Sequence, residues 1–289
     1  MLDVYKTSYK FMGQPFRLSP NYRNPYFHPT YDEANAYLKY AVSEGEGFVA
    51  ITGAPGTGKT TLIGTLLTGV DKERVKVASI LNEQLDTRDL VERVNDAFDL
   101  PADKRVAPIP KLMRFLNQHR QQGGRAILIF DEAHCMSSAA LEELRLLSNL
   151  QNYDGLLLQV FLLGQEPLLD IIRSPGMEQL QQRLIAASHL EPLELDETIA
   201  YIEHRLRAVG WQNDPSLSDQ SFNLIHKFSG GIPRRINLIC HRLFLRGGVE
   251  NKREFLGEDA LHVIVELNKE GLLTPVMRKE AKKNSSRYC

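Results

Sequence analysis

The chain has 289 residues, 43% hydrophobic and 25% charged, which is typical of a globular protein and excludes a disordered or collagenous chain. Its 35 basic and 36 acidic side chains give a formal net charge of −1, so no overall field draws the protein onto nucleic acid or anionic lipid. Three cysteines are too few for a disulfide framework and no apolar run reaches the length of a membrane span, so we expect a cytoplasmic protein.

The first 46 residues contain an aromatic, Pro-rich segment followed by one amphipathic helix, predicted at Tyr31–Ser43. We expect aromatic residues of the segment, such as Phe16, Tyr22 and Phe27, to pack against the edge of a sheet. Stacking on adenine and contact with an adjacent subunit are the alternatives.

Between residues 47 and 194, strand-like segments alternate with helix-like segments, which is the pattern of a parallel sheet covered by helices on both faces. The predicted strands are Gly47–Thr52, Arg74–Leu81, Arg125–Phe130, Leu157–Leu163 and Ser188–Leu193. The predicted helices are Lys59–Leu67, Thr87–Phe98, Pro110–Gln121, Ser137–Leu150 and Pro167–Ala186, the last broken around residues 174–176. Residues 47–194 are therefore predicted to form an α/β domain with a five-stranded parallel sheet.

From residue 195 to residue 270 the strand signal is absent, and the pattern predicts a small all-helical domain. Its predicted helices are Asp196–Val209, Ser218–Phe228, Pro233–Gly247 and Gly257–Lys269. Residues 271–289 are rich in Lys and Arg and poor in apolar side chains. We expect this basic tail to be disordered, and an anchor for acidic partners is the alternative.

A phosphate-binding loop follows the first predicted strand, where the sequence GAPGTGKT fits the pattern G-x-x-x-x-G-K-[ST] and leads into a helix. Glycines let successive backbone N–H groups face one anion, and the helix N-terminus adds a partial positive charge. Lys59 is expected to reach the β- and γ-phosphates of ATP, and the Thr60 hydroxyl to bind Mg²⁺. The residues predicted to bind ATP are Gly53, Ala54, Pro55, Gly56, Thr57, Gly58, Lys59, Thr60 and Thr61.

Two carboxylates, Asp131 and Glu132, end the apolar strand predicted at Arg125–Phe130. Carboxyl ends of parallel strands share one crevice, so these side chains are expected to face the phosphate-binding loop. Asp131 is predicted to hold Mg²⁺ and Glu132 to polarise the attacking water. For His134 and Cys135 no further His or Cys lies at ligand spacing, so we expect a supporting or packing role and no zinc.

These motifs, together with Gln165 at the end of a further strand and the lid sequence GGIPRR, resemble an AAA+ ATPase, a P-loop NTPase with a helical lid. The resemblance implies that Gln165 is the sensor 1 residue, which contacts the γ-phosphate and the attacking water. It implies that Arg234 is the sensor 2 residue, with Arg235 as the near match. It also implies an arginine finger that acts on a neighbouring subunit in an oligomer, for which Arg183 is the candidate.

Nearly the whole chain resembles the secretion ATPases of the general secretion pathway A (ExeA) type, especially those encoded with exosortase and exopolysaccharide systems. The resemblance rests on a set of motifs that includes PFRLSP, LEELRLLSN, YIEHRL and SGGIPRRIN. It implies a ring or filament of identical subunits, partners from a secretion or exopolysaccharide system, and peripheral contact with the inner membrane. ExeA-like proteins carry a transmembrane helix and a peptidoglycan-binding domain after the ATPase, whereas here a short basic tail follows.

The ATPase core also resembles the transposition regulators of the TnsC/TniB type and, more distantly, origin-recognition and Holliday-junction motor ATPases. These families bind DNA. The alternative expectation is therefore an ATP-gated regulator that binds DNA through local clusters of Lys and Arg, although the near-neutral net charge weighs mildly against it.

Overall fold

The computed structural model describes residues 4–19, 24–45, 47–81, 90–102, 105–153 and 155–273. The chain divides into two compact units. The sheet unit is Pro20–Glu191, and the helical unit is Met1–Ser19 together with Pro192–Cys289. Tyr22, the start of the helix predicted at Thr87–Phe98, and the basic tail from residue 274 onward lie outside the described residues.

The elements are numbered in chain order, and α1 (Val4–Tyr9) belongs to the helical unit. The strands and helices of the sheet unit are α2 (Pro29–Glu44), β1 (Phe48–Gly53), α3 (Lys59–Thr68), β2 (Val75–Leu81), α4 (Leu90–Ala97), α5 (Pro108–Gln121), β3 (Arg125–Asp131), α6 (Ser138–Ser148), β4 (Gln151–Asn152), β5 (Gly155–Leu156), β6 (Gln159–Gly164), α7 (Pro167–Ile172), α8 (Glu178–Gln181) and β7 (Leu184–Leu190). The helical unit continues with α9 (Leu195–Arg207), β8 (Ser216–Leu217), α10 (Asp219–Ser229), α11 (Pro233–Val249), β9 (Glu254–Phe255) and α12 (Gly257–Lys269).

The main sheet has five strands in the order β2-β3-β6-β1-β7, and every neighbouring pair is parallel. The α/β fold with a five-stranded parallel sheet is therefore confirmed. Strand β6 lies between β1 and β3, with Thr52 paired to Gly164 and Phe130 paired to Leu162. The carboxyl ends of β1, β3 and β6 consequently meet at one edge of the sheet, where ligands of parallel sheets bind.

The central strands are mostly apolar because both faces of the sheet are covered. On β1, Phe48 and Ala50 join the core on one face, whereas Val49 and Ile51 join the core on the other face, which includes residues of α2 and α3. All six residues of β1 and all six of β6 are buried. The sheet is thus a rigid platform for the loops that follow its strands.

The last strand of the sheet differs from the prediction of Ser188–Leu193. Strand β7 begins at Leu184, and the helical segment predicted at Pro167–Ala186 with a break around residues 174–176 forms two short helices, α7 and α8, that end by Gln181. Strand β7 lies at the edge of the sheet, and its residues do not alternate regularly between buried and exposed. Leu184, Ile185 and Ala186 are all apolar, and they directly follow the helical segment, so their residue types do not mark where the strand begins.

The helical unit includes the N-terminal residues, which pack among its helices. The Phe16 ring is fully buried, with its centroid 5.4 Å from that of Phe244 on α11, and the Tyr9 hydroxyl donates to the Phe244 carbonyl oxygen at 3.0 Å. The expected packing of Phe16 against a sheet edge is therefore wrong. Phe27 does lie in the sheet unit, where it is half exposed and contacts Tyr31 edge-on at 5.5 Å.

Candidate functional site

The loop between β1 and α3 has a backbone that depends on glycine. A Cβ added to Gly53, whose φ is 154°, would lie 2.7 Å from the Leu190 carbonyl oxygen and 2.8 Å from Thr57 Oγ1, so a side chain does not fit there. Gly58 has a φ of 108°, and apart from its neighbours along the chain no atom of the described residues would lie within 4 Å of a Cβ at that position. The first position keeps the loop against β7, and the second leaves open space at the start of α3.

Helix α3 presents unpaired backbone donors to this space. Its first hydrogen bond joins the Leu62 N–H to the Gly58 carbonyl oxygen, and no side chain caps the helix at Gly58. The N–H groups of Lys59, Thr60 and Thr61 precede that bond, so they have no partner within the helix. Together with the helix dipole, they form a site that favours an anion.

The Lys59 side chain is folded into the loop. It is 5% exposed, and Nζ donates to the carbonyl oxygens of Gly53 at 2.9 Å and Ala54 at 3.2 Å. Burial lowers the pKa of Lys59, while the negative charges of Glu132 and Asp131 act in the opposite direction. No carboxylate in the described part of the chain lies within 4.0 Å of Nζ, so this buried ammonium lacks an ion-pair partner. An anion in the loop would supply one.

Thr60 and Asp131 are brought together from α3 and β3. The Thr60 hydroxyl donates to Asp131 Oδ2 at 3.0 Å, and the other carboxylate oxygen, Oδ1, accepts the Glu132 N–H at 3.0 Å. A hydroxyl and a carboxylate are hard oxygen ligands of the kind that Mg²⁺ prefers. The donor set therefore fits a magnesium ion bound next to an anion in the loop.

Glu132 and Gln165 are joined through His134. Glu132 has a φ of 56°, and the 3-10 turn Ala133–Cys135 follows it. Glu132 Oε2 lies 3.3 Å from His134 Nδ1, and the side-chain nitrogen of Gln165 lies 2.9 Å from His134 Nε2. The structure thus places both residues at the same end of the sheet as the loop, and His134, for which we expect a supporting or packing role, lies between them.

Arg183 has a different environment. It lies just before β7, and its Nη1 donates to the Ser148 carbonyl oxygen at the end of α6, at 3.2 Å. Its own carbonyl oxygen accepts the Phe48 N–H at 2.8 Å. These are contacts within one chain, so Arg183 has a structural role beside the function in a neighbouring subunit that the resemblance implies.

Arg234 and Arg235 lie in the first turn of α11, in the helical unit. Arg234 is exposed, whereas Arg235 is half-buried and its pKa is lowered by burial. The helix begins at Pro233, and its N-cap residue Ile232 follows a pair of glycines. At the second glycine, Gly231, φ is 73° and an added Cβ would collide with the backbone of Leu193. The turn therefore determines where α11 begins and so where the two arginines of its first turn are placed.

The sequence matches a known family and a known protein. A family model described as an AAA domain matches residues 42–172, which include the loop, both carboxylates and Gln165. General secretion pathway protein A of Aeromonas hydrophila is 39% identical over 246 residues, covering 84% of this chain. The chain spans 44% of the length of that relative.

Solved structures share the fold at low identity. The Cdc6p protein of Pyrobaculum aerophilum aligns with a TM-score of 0.70 and 16% identity, covering 86% of this chain and 70% of that one. The ORC1 protein of Aeropyrum pernix, in complex with DNA, aligns with a TM-score of 0.65 and 14% identity, covering 90% and 71%. These structures show the fold, and the AAA domain match and the curated relative identify the chain as an AAA ATPase related to general secretion pathway protein A.

Proposed function

We propose that the protein hydrolyses ATP to ADP and phosphate in a magnesium-dependent reaction at the carboxyl end of β1, β3 and β6. The observation that carries the proposal is the buried Lys59 ammonium, which has no carboxylate partner among the described residues, beside N–H groups that have no partner within α3 and the hydroxyl–carboxylate pair of Thr60 and Asp131. This combination fits a polyphosphate that carries a divalent cation.

Each residue has a role that follows from its chemistry. Residues Gly53 to Thr61 bind the phosphates through backbone N–H groups and the Lys59 ammonium. Thr60 and Asp131 hold Mg²⁺, which neutralises negative charge on the phosphates. Glu132 orients and polarises the attacking water, and Gln165 contacts the γ-phosphate side of that water. Positioning and charge stabilisation supply most of the catalysis in such a site.

Two substitutions separate binding from chemistry. Lys59→Ala is expected to abolish ATP binding, because the loop loses its only side-chain cation. Glu132→Gln is expected to retain ATP binding but to lower turnover by about 10²-fold or more, because the water loses its base. Fluorescent ATP titration and phosphate release measure the two effects. Lys76→Ala and Glu92→Gln, both at exposed positions of the sheet unit, are matched controls.

The result that would contradict the proposal is specific for each residue. If Glu132→Gln released phosphate at the parental rate, Glu132 would not be the base. If the parental protein bound no ATP in the presence of magnesium, the assignment of the whole site would be wrong.

Assembly and cellular role extend the proposal further. The 39% identity to general secretion pathway protein A supports a role in powering or regulating a bacterial secretion system. The motifs shared with exosortase- and exopolysaccharide-linked ATPases extend the proposal to those envelope systems. Subunits would then assemble side by side, with Arg183 or another arginine reaching the neighbouring nucleotide. Light scattering with and without an ATP analogue tests assembly, and a monomer under both conditions would contradict it. Among the described helices, none is long and apolar enough to cross a bilayer.

A DNA-binding regulator gated by ATP is the second candidate. The observation in its favour is the fold shared with the ORC1 protein that was solved in complex with DNA. Filter binding of duplex DNA over a salt series, with and without a non-hydrolysable ATP analogue, distinguishes the two. Retention that requires the analogue and falls steeply with salt would support this candidate, because phosphate contacts release counterions.

A further inference from the structure

His134 lies between the two residues that the proposed function places around the attacking water. Its side chain is 15% exposed, and its ring nitrogens face opposite partners. Nδ1 lies 3.3 Å from Glu132 Oε2, and Nε2 lies 2.9 Å from the Gln165 side-chain nitrogen. The Gln165 main-chain nitrogen also reaches Nδ1, at 3.4 Å, and Cys135 Sγ lies 3.6 Å from Nε2.

The fold brings these groups together from two strands. Strand β3 ends before Glu132, and the 3-10 turn Ala133–Cys135 bends the chain toward the end of β6. Residue 164 is glycine, and a Cβ there would lie 3.2 Å from the main-chain nitrogen of His134. The backbones of Gly164 and His134 are therefore in close contact, and this contact positions the imidazole beside Gln165.

The hydrogen-bond roles of Nδ1 exclude each other. The Glu132 carboxylate only accepts, so Nδ1 must carry a proton to bind it. The Gln165 N–H only donates, so Nδ1 must be unprotonated to accept it. One nitrogen of a neutral ring serves one of these partners at a time.

The side-chain amide of Gln165 selects between the two arrangements. In the structure its nitrogen faces Nε2, so the amide donates to Nε2, which places the ring proton on Nδ1 and binds Glu132. If the amide rotates and presents its oxygen, Nε2 carries the proton, and Nδ1 accepts from the Gln165 main-chain N–H. Glu132 then loses its partner.

We propose that His134 is a positioning residue that holds Glu132 in a resting orientation and releases it when the Gln165 side chain rotates. The inference rests on the proposed function, because it assigns Glu132 and Gln165 to the water and the γ-phosphate. It adds a link between them: the residue that contacts the phosphate controls the residue that polarises the water. Hydrolysis is thereby coupled to correct occupancy of the site.

The first test reads the imidazole directly in the nucleotide-free, full-length protein. Long-range nitrogen–proton NMR of ¹⁵N-histidine protein above about pH 8, where an ordinary imidazole is neutral, reports which nitrogen carries the proton. The His134 signal is assigned by its loss in His134→Asn. We expect the proton on Nδ1 in the parental protein and on Nε2 in Glu132→Ala. A proton on Nε2 in the parental protein, or the same form in both proteins, would overturn the proposal.

The second test is a double-mutant cycle on turnover. We expect Gln165→Ala to lower kcat about tenfold or more, because Glu132 then stays bound to His134 and hydrogen bonds to charged groups have effects of this order. His134→Ala should raise kcat, because nothing then holds Glu132 in its resting orientation. The double variant should recover part of the kcat lost in Gln165→Ala, because the two residues act through one link. A kcat lowered by His134→Ala, or a double variant that is no faster than Gln165→Ala, would overturn the proposal.

Conservative variants and a control complete the design. Asparagine at residue 134 keeps a donor near the Nδ1 position but has no second ring nitrogen through which Gln165 could release Glu132, so kcat of His134→Asn should lie below that of His134→Ala. His262→Ala, at an exposed position of α12, should behave like the parental protein. Turnover by the parental protein but not by Glu132→Gln, combined with a kcat that His134→Ala lowers, refutes the link while leaving the proposed function intact.

Discussion

Truncation of Phe16 tests whether the N-terminal residues belong to the helical unit. The ring is fully buried, and its centroid lies 5.4 Å from that of Phe244 on α11. Phe→Ala changes at buried sites cost about 3–5 kcal/mol, which corresponds to about a hundredfold or more in an opening equilibrium. Because these contacts lie within the helical unit, the loss of stability should appear there first.

Hydrogen exchange measured by mass spectrometry locates that loss. In Phe16→Ala we expect peptides from α11 to exchange faster, while peptides from β1 keep their protection. The matched control is Phe27→Ala, whose ring is 49% exposed and whose truncation should cost about 1 kcal/mol within the sheet unit. Equal effects of the two variants on α11, or faster exchange confined to β1 in Phe16→Ala, would refute the reasoning.

Three further substitutions test the site. Gly58→Ala places a methyl group in the open space at the start of α3, so at a φ of 108° it should lower stability by only about 1–2 kcal/mol. The methyl group should also enter the space of the phosphates and lower ATP affinity about tenfold or more. An unchanged affinity would contradict the assignment of the loop to phosphate binding. Thr60→Val should raise the magnesium concentration for half-maximal turnover about tenfold, because the hydroxyl is lost without a change of shape. If the magnesium titrations of the variant and the parental protein coincide, Thr60 does not bind magnesium. Arg183→Ala should lose turnover, and mixing it with Glu132→Gln should restore part of it, because mixed oligomers pair an intact arginine with an intact glutamate. No restoration, together with a lower melting temperature, would leave Arg183 only its bond to the Ser148 carbonyl oxygen.

The parts of the fold that were predictable from the sequence are those with local signals. Central strands such as Phe48–Gly53 and Gln159–Gly164 are buried on both faces, so they appear as continuous apolar runs. The edge strand β7 begins at Leu184, only three residues after α8 ends at Gln181, and its apolar start fits a helix as well as a strand, so the sequence pattern places the boundary too late. The two-residue strands of the hairpin β4–β5 are too short to give a periodic pattern at all.

The residues of the site likewise divide into those with a local sequence signal and those without one. The glycines, Lys59 and Thr60 are consecutive, so their spacing predicted a phosphate-binding loop directly. The link from Glu132 through His134 to Gln165 depends on which strand lies beside β3, and strand order is a property of the whole chain. The burial of Phe16 against Phe244 likewise depends on residues more than two hundred positions apart, which no local pattern reveals.

The left-handed backbone of Glu132 has a consequence for engineering the protein. At a φ of 56° and ψ of 35°, a residue with a Cβ is less stable than glycine by about 1–2 kcal/mol. A search for thermostable variants would therefore select glycine at this position and, in the same step, discard the carboxylate. Screens that select only for thermal stability should therefore enrich variants that lack Glu132 and its activity. A selection for stability must be combined with a selection for turnover.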